Sequence, residues 1–227
     1  MKRIMKRLCF VIAIALYACM ANAQEVRFGI EADLDITKLH GSKSSINNSK
    51  STLGFGIGGV VRLKMNNNIV LSSGANIGVK NGKFSVLSKY YNNETQALGW
   101  EFPEVRYQVV SLEIPLKIGY EFNIKNSLTL TPMVGIYWEH ALKSLKKDVT
   151  IGESGYKQQW DCMKDLDYNN YHLDALKRDG LGIAIGVDTR IKSHYTIGLG
   201  YKFDLTKKSS QFGLKDSGLQ LRLGYLW

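Results

Sequence analysis

Eight stretches of this chain alternate apolar and polar residues with a period of two. The first sets Val26, Phe28, Ile30, Ala32 and Leu34 against Arg27, Gly29, Glu31 and Asp33. The others run over 53–63, 69–79, 110–122, 128–138, 181–190, 195–203 and 219–227. Successive side chains of a strand point to opposite faces, so each run predicts a strand with one apolar and one polar side. No segment carries the 3.6-residue period of an amphipathic helix. The chain is therefore predicted to be all-β.

Residues 1–23 stand apart from this pattern. Lys2, Arg3, Lys6 and Arg7 precede an apolar segment, Leu8–Ala18, too short to span a bilayer. Ala21-Asn22-Ala23 is a small-x-small site before Gln24. This is the layout of a cleaved signal peptide, 1–23, leaving 24–227 as the barrel domain. A lipoprotein-type box, Leu16–Cys19, is the lesser alternative. Losing four basic residues lowers the formal charge from +10 to +6. That is too little to argue for nucleic acid. Cys9 and Cys19 leave with the leader, so Cys162 has no partner for an internal disulfide.

The connections alternate in length. MNNN (65–68), NIKNS (123–127) and IKSH (191–194) are tight, whereas 36–51, 80–106, 141–179 and 206–217 are long. The apolar faces carry large side chains and the opposite faces carry Gly, Ser, Thr and charges. Packing those apolar stripes inside eight strands would overfill the lumen. The expectation is an all-β, eight-stranded antiparallel up-and-down transmembrane β-barrel of the bacterial outer membrane, with short periplasmic turns, long outer loops and both termini periplasmic. A soluble eight-stranded binding barrel is an alternative. Aromatic girdles are expected at Phe28, Tyr120, Phe122, Tyr195 and Trp227 at the short-turn end, and at Trp138, Tyr201 and Phe203 at the other.

Ser111–Tyr120 (SLEIPLKIGY) resembles the fourth strand of the PorT-like outer-membrane β-barrel family. Thr131–Gly135 (TPMVG), Asp179–Val187 (DGLGIAIGV) and Gly198–Tyr201 (GLGY) are similar to its following strands. The resemblance covers essentially the whole of 24–227. It implies an integral outer-membrane barrel of eight strands. Some relatives are implicated in protein secretion, while most have no assigned role.

The polar face supplies the candidate site. Arg27, Arg62, Lys117, Arg190, Lys202 and Arg222 share it with Glu31, Asp33, Glu113, Glu121, Glu139, Asp188 and Asp204. Six cations against seven carboxylates in a narrow interior must pair or stay hydrated. The expected result is a salt-bridged plug rather than a pore.

Other motifs are weaker. Gly54–Gly59 satisfies G-x-G-x-x-G, but inside one strand, without the helix a dinucleotide site needs. Asp165, Asp167 and Asn169 have the opening spacing of a calcium loop, but Leu176 stands where the closing Glu belongs. No cofactor or metal is expected. Lipid-modifying enzymes on small barrels would need a His, a Ser and an acid at the outer rim. Glu139, His140 and Ser144 are nearest, yet adjacent strand residues face opposite ways. Loop lysines 38, 43, 50, 143, 146, 147, 207, 208 and 215 offer partners for lipid phosphates. The function expected is thus non-enzymatic, exercised through outer loops or within an envelope assembly such as a secretion system. The alternative is an outer-membrane lipid-modifying enzyme.

Overall fold

The structure, a computed structural model, describes residues 23–41, 46–86, 88–92, 97–101, 104–125, 127–151, 156–159, 161–168 and 171–227. The signal-peptide reading at 1–22 lies outside them. Eight long strands form the barrel: β1 (Glu25–His40), β2 (Thr52–Lys64), β3 (Ile69–Val86), β4 (Glu104–Tyr120), β5 (Leu128–Ile151), β6 (Asp179–Ile191), β7 (Tyr195–Asp204) and β8 (Lys215–Leu226). Each pairs antiparallel with its sequence neighbours. Closure comes from β1 and β8, in register from Gly29 opposite Leu226 to His40 opposite Lys215. A closed barrel satisfies every ladder and leaves no edge, which is what hydrocarbon demands. There is no helix among the described residues.

The tight turns behave as their lengths require. Lys192 and Ser193 both have positive φ (49° and 64°), the central positions of an I′-type turn in which the His194 N–H donates to the Ile191 carbonyl, within the three residues that separate paired Ile191 and Tyr195. Pro115 lies within β4 on its lumen side, and the β3–β4 ladder has no pairing at Gly74 and Ala75. Proline has no N–H to give there. Ser73 Oγ donates instead to the Pro115 carbonyl at 2.9 Å.

The long connections differ from the sequence expectation. Residues 80–85 of β3 stay paired with 104–109 of β4, and 104–110 of β4 with 143–150 of β5. Ile46–Ser49 adds to the end of β3, and Tyr156–Gln159 to the end of β5. A sheet therefore projects beyond the barrel where 80–106 and 141–179 read as loops. The reason is a change of phase. Along 110–122 the apolar residues point out, but Val105, Tyr107 and Val109 point in and are buried, with Glu104, Arg106 and Gln108 outward. The strand leaves hydrocarbon for water and its pattern inverts, so the apolar-out alternation stops while the ladder continues. Two bulges in β5, at Leu142 and Leu145, mark the same transition.

Around the barrel wall the outward residues are large, apolar and exposed, among them Ile57, Ile136, Ile185, Leu199 and Leu221. A continuous exposed apolar belt of this kind suits lipid, not water.

Candidate functional site

The lumen is filled in tiers. At the short-turn end, Glu121 accepts from Lys64 Nζ at 2.7 Å and from Arg190 Nη2 at 3.0 Å. In the middle, Asp188 lies between Arg62 and Arg222, with Arg222 Nη2 at 2.6 Å. Lys117 and Glu31 are buried in the same region.

Above that runs an unbroken chain of opposite charges. Asp35 accepts from Lys202 at 3.0 Å, and Lys202 also reaches Glu113 at 3.0 Å. Glu113 takes Lys80 at 3.2 Å, and Lys80 takes Glu139 at 2.9 Å. Glu139 meets Lys208 at 3.5 Å, which pairs in turn with Asp216 and, at 3.7 Å, Asp204. Tyr137 seals the chain from one side. Its hydroxyl donates to Asp204 at 2.6 Å, and the ammonium groups of Lys80 and Lys202 lie 5.9 and 5.5 Å from its ring centre. Cations over an aromatic face in a dry interior gain further stabilisation.

The end opposite the short turns is closed by apolar side chains. Leu39 from β1, Phe84 from β3 and Val105, Tyr107 and Val109 from β4 meet Cys162, Phe212 and Leu214 from the connections. Phe84 and Phe212 pack at 6.0 Å between ring centres. A cavity of only about 30 Å³ remains between this cap and the Lys80–Glu139–Lys208 chain. Cys162, within the long 141–179 connection, is 0% exposed and its thiol donates to Ser144 Oγ at 3.2 Å.

A model of the outer membrane protein beta-barrel domain matches residues 8–226. The chain belongs to this family. Solved structures similar to it include Neisserial surface protein A, 12% identical with a TM-score of 0.41 over 87% of this chain and 96% of that one. The attachment invasion locus protein Ail of Yersinia pestis is 11% identical, with a TM-score of 0.42 over 90% and 100%. OprG from Pseudomonas aeruginosa is 12% identical, with a TM-score of 0.39 over 89% and 94%. No curated protein sequence matches the chain.

In this outer-membrane barrel the thirteen charged residues read from the sequence all face the lumen or its mouths, but not alike. Arg27 sits at the short-turn rim, paired with Glu25, and Asp33 accepts from Asn76 Nδ2 at 3.4 Å, with no ion pair among the described residues. Three cations and two carboxylates were missed: Lys64, Lys80, Lys208, Asp35 and Asp216. Four of these continue the even or odd phase of a run one or two steps past its apolar end, and that phase was the signal available. Lys208 had none. As a loop lysine it was a candidate for lipid phosphate, and the fold instead turns it inward against three carboxylates, because Phe212 and Leu214 anchor its connection over the lumen.

The aromatic residues lie on the outer wall. Phe28, Tyr120, Phe122, Tyr195 and Trp227 are exposed at the short-turn end, where Tyr225 joins them, 5.5 Å from Tyr195 and 6.3 Å from Trp227. At the other end Tyr201 is exposed, Phe203 half-buried, and Trp138 stacks on His140 at 5.6 Å. The G-x-G-x-x-G glycines lie within β2, where Gly56 and Gly58 make room for Asp33 and Asn76.

Of the calcium-type residues, Asn169 and the side chain of Asp167 lie outside the described residues. Asp165 Oδ1 accepts from the Ala175 N–H at 2.7 Å. No group of three or more metal-ligating side chains occurs among the described residues. His140 is partnered not by Glu139, which points into the lumen, but by Asp179 across the β5–β6 pair at 2.9 Å. Lys43 and the side chains of Lys146, Lys147 and His172 lie outside the described residues.

Proposed function

We propose that this is a non-enzymatic, non-conducting outer-membrane barrel of the PorT-like branch, with its short turns and both termini periplasmic and its projecting sheet outside the cell. The observation that carries the reading is the Asp35–Lys202–Glu113–Lys80–Glu139–Lys208 chain beneath an apolar cap. Each charge in it is held by at least one of opposite sign, and freeing one strands another in a low-dielectric interior. An eight-stranded interior is just wide enough for such side chains to fill. A barrel without a passage acts through what it displays, here the sheet built on residues 80–86, 104–110 and 143–151. Exposed Lys38, Lys50, Lys143 and Lys207 at that end suit the phosphates of an anionic leaflet, and an envelope protein is the partner expected for the sheet. The SLEIPLKIGY strand supports the PorT-like placement.

The test is conductance of the purified barrel in a planar bilayer, together with capture in mild detergent. The expected outcome is no steady current and a stable envelope partner. A large, stable, ion-selective current would replace the plugged reading with a channel. The lipid-enzyme reading has one point in its favour, the His140–Asp179 pair at the rim, but Ser144, its candidate nucleophile, is engaged with Cys162. Altered acylation of outer-membrane lipid in a deletion strain, restored by the wild type and not by His140→Gln, would promote it.

A further inference from the structure

A cavity of about 420 Å³ occupies the short-turn mouth, between the ends of β2, β4, β5 and β6. Among the described residues its lining includes Lys64, Lys125 and Arg190 but a single carboxylate, Glu121. Glu121 is 1% exposed and Arg190 is 7% exposed, so the ion pair is built into the floor and not draped over the surface. One carboxylate cannot neutralise three cations, and neighbouring Arg27 is already matched by Glu25. The mouth therefore carries an excess of two positive charges, with Lys64 and Arg190 in its wall and Lys125 at its exposed edge, so the net field attracts an anion to the opening. Neutral donors line it as well. Asn123 stands at the rim, and Ser127 and Thr129 belong to the wall.

We propose that this mouth binds a small phosphate-class dianion that enters along the barrel axis. Phosphate carries about 1.5 to 2 negative charges at neutral pH and offers acceptor oxygens in several directions, matching a guanidinium, two ammonium groups and the Asn123 amide. Lys64, Thr129 and Arg190 are on the lumen face of their strands, and buried Glu121, just past β4, reaches Lys64 and Arg190 from the same side. A free anion reaches them from the mouth, whereas a lipid headgroup lies beyond the wall. The site follows from the geometry of the mouth and does not depend on the display reading above.

The experiment titrates inorganic phosphate into the full-length barrel in detergent at constant ionic strength, read by calorimetry or 31P NMR, with chloride as the control. Saturable binding of phosphate and none of chloride is expected. Arg190→Gln should weaken it about tenfold, the loss of one charge-assisted hydrogen bond. Glu121→Gln should tighten it, because the competing carboxylate is gone. Lys125 is exposed, so Lys125→Gln keeps the fold and should weaken binding several-fold, while Lys143→Gln at the opposite end should leave it unchanged. An equal response to chloride, no saturation, or an unchanged affinity in Lys125→Gln would overturn the proposal. So would binding seen only in phosphatidylglycerol nanodiscs and not with free phosphate, since the headgroup would then be the ligand.

Discussion

The Tyr137 hydroxyl reaches Asp204 across the vacant side-chain position of Gly182. The three residues stand in one row of the ladder, Tyr137 opposite Gly182 on β5–β6 and Gly182 opposite Asp204 on β6–β7. A Cβ on Gly182 would collide with the tyrosine ring. The glycine is needed for this close approach, not for its backbone freedom. Gly182→Ala should therefore cost about 1–3 kcal/mol by overpacking. Tyr137→Phe should cost about 1–3 kcal/mol by leaving Asp204 short of a donor. Urea unfolding in lipid vesicles measures both, and a wild-type midpoint for Gly182→Ala would disprove the crossing.

Leu199 lies on the outer wall midway along β7 between Tyr195 and Phe203 and is 59% exposed. Leu145 is 43% exposed but sits above the Trp138 level, in the bulged part of β5. Arginine at 199 should cost about 2–4 kcal/mol, and at 145 about 0–1 kcal/mol, because the penalty follows depth in the bilayer. Equal costs would contradict the placement of the hydrocarbon belt.

Sequence alone ranks Glu113→Gln as milder than Ile114→Arg, since an amide stays in a polar lumen. The structure predicts the opposite order. Glu113 holds both Lys80 and Lys202, and Ile114 stands opposite Trp138 near the outer girdle. Glu113→Gln should cost about 3–5 kcal/mol by stranding buried cations. Lys208→Met should cost a similar amount, whereas its exposed neighbour Lys207→Met should stay within about 0.5 kcal/mol of wild type. Paired urea midpoints decide.

Phe212 closes the apolar cap over the lumen against Phe84. Phe212→Ala should destabilise by about 3–5 kcal/mol and open a route to Cys162. The thiol should resist maleimide in the wild type and label readily in the variant, followed as a mass shift. Rapid labelling of the wild-type protein would show that the cap is not closed.

On the projecting sheet, Glu104 contacts Lys83 at 2.9 Å and Arg106 at 2.6 Å. Burial raises its carboxyl, but the hydrogen bonds and charges of Lys83 and Arg106 outweigh this and hold it below the ordinary glutamate value. A lowered folded value means the pair stabilises at neutral pH and loses that contribution as pH falls through the carboxyl titration. A carbon-detected NMR titration should place the Glu104 midpoint below that of an unpaired glutamate, and Lys83→Gln should move it up.

The period-two pattern determined the strand count, the order of turns and the outward face, because hydrocarbon imposes one rule on every lipid-facing position. It also marked the lumen residues on the opposite phase. It could not show where β3, β4 and β5 continue past the membrane. There the rule inverts, so Tyr107 points inward as a soluble protein's core residue would, and local alternation has no way to distinguish that from a loop. Nor could it find Lys208, whose inward turn depends on Phe212 and Leu214 packing against strands more than a hundred residues away in sequence. Which carboxylate meets which ammonium was decided by the tertiary register of the strands, including the closure of β1 onto β8. Register around a closed ring, not spacing along the chain, brings Asp35 to Lys202 and Glu113 to both Lys80 and Lys202.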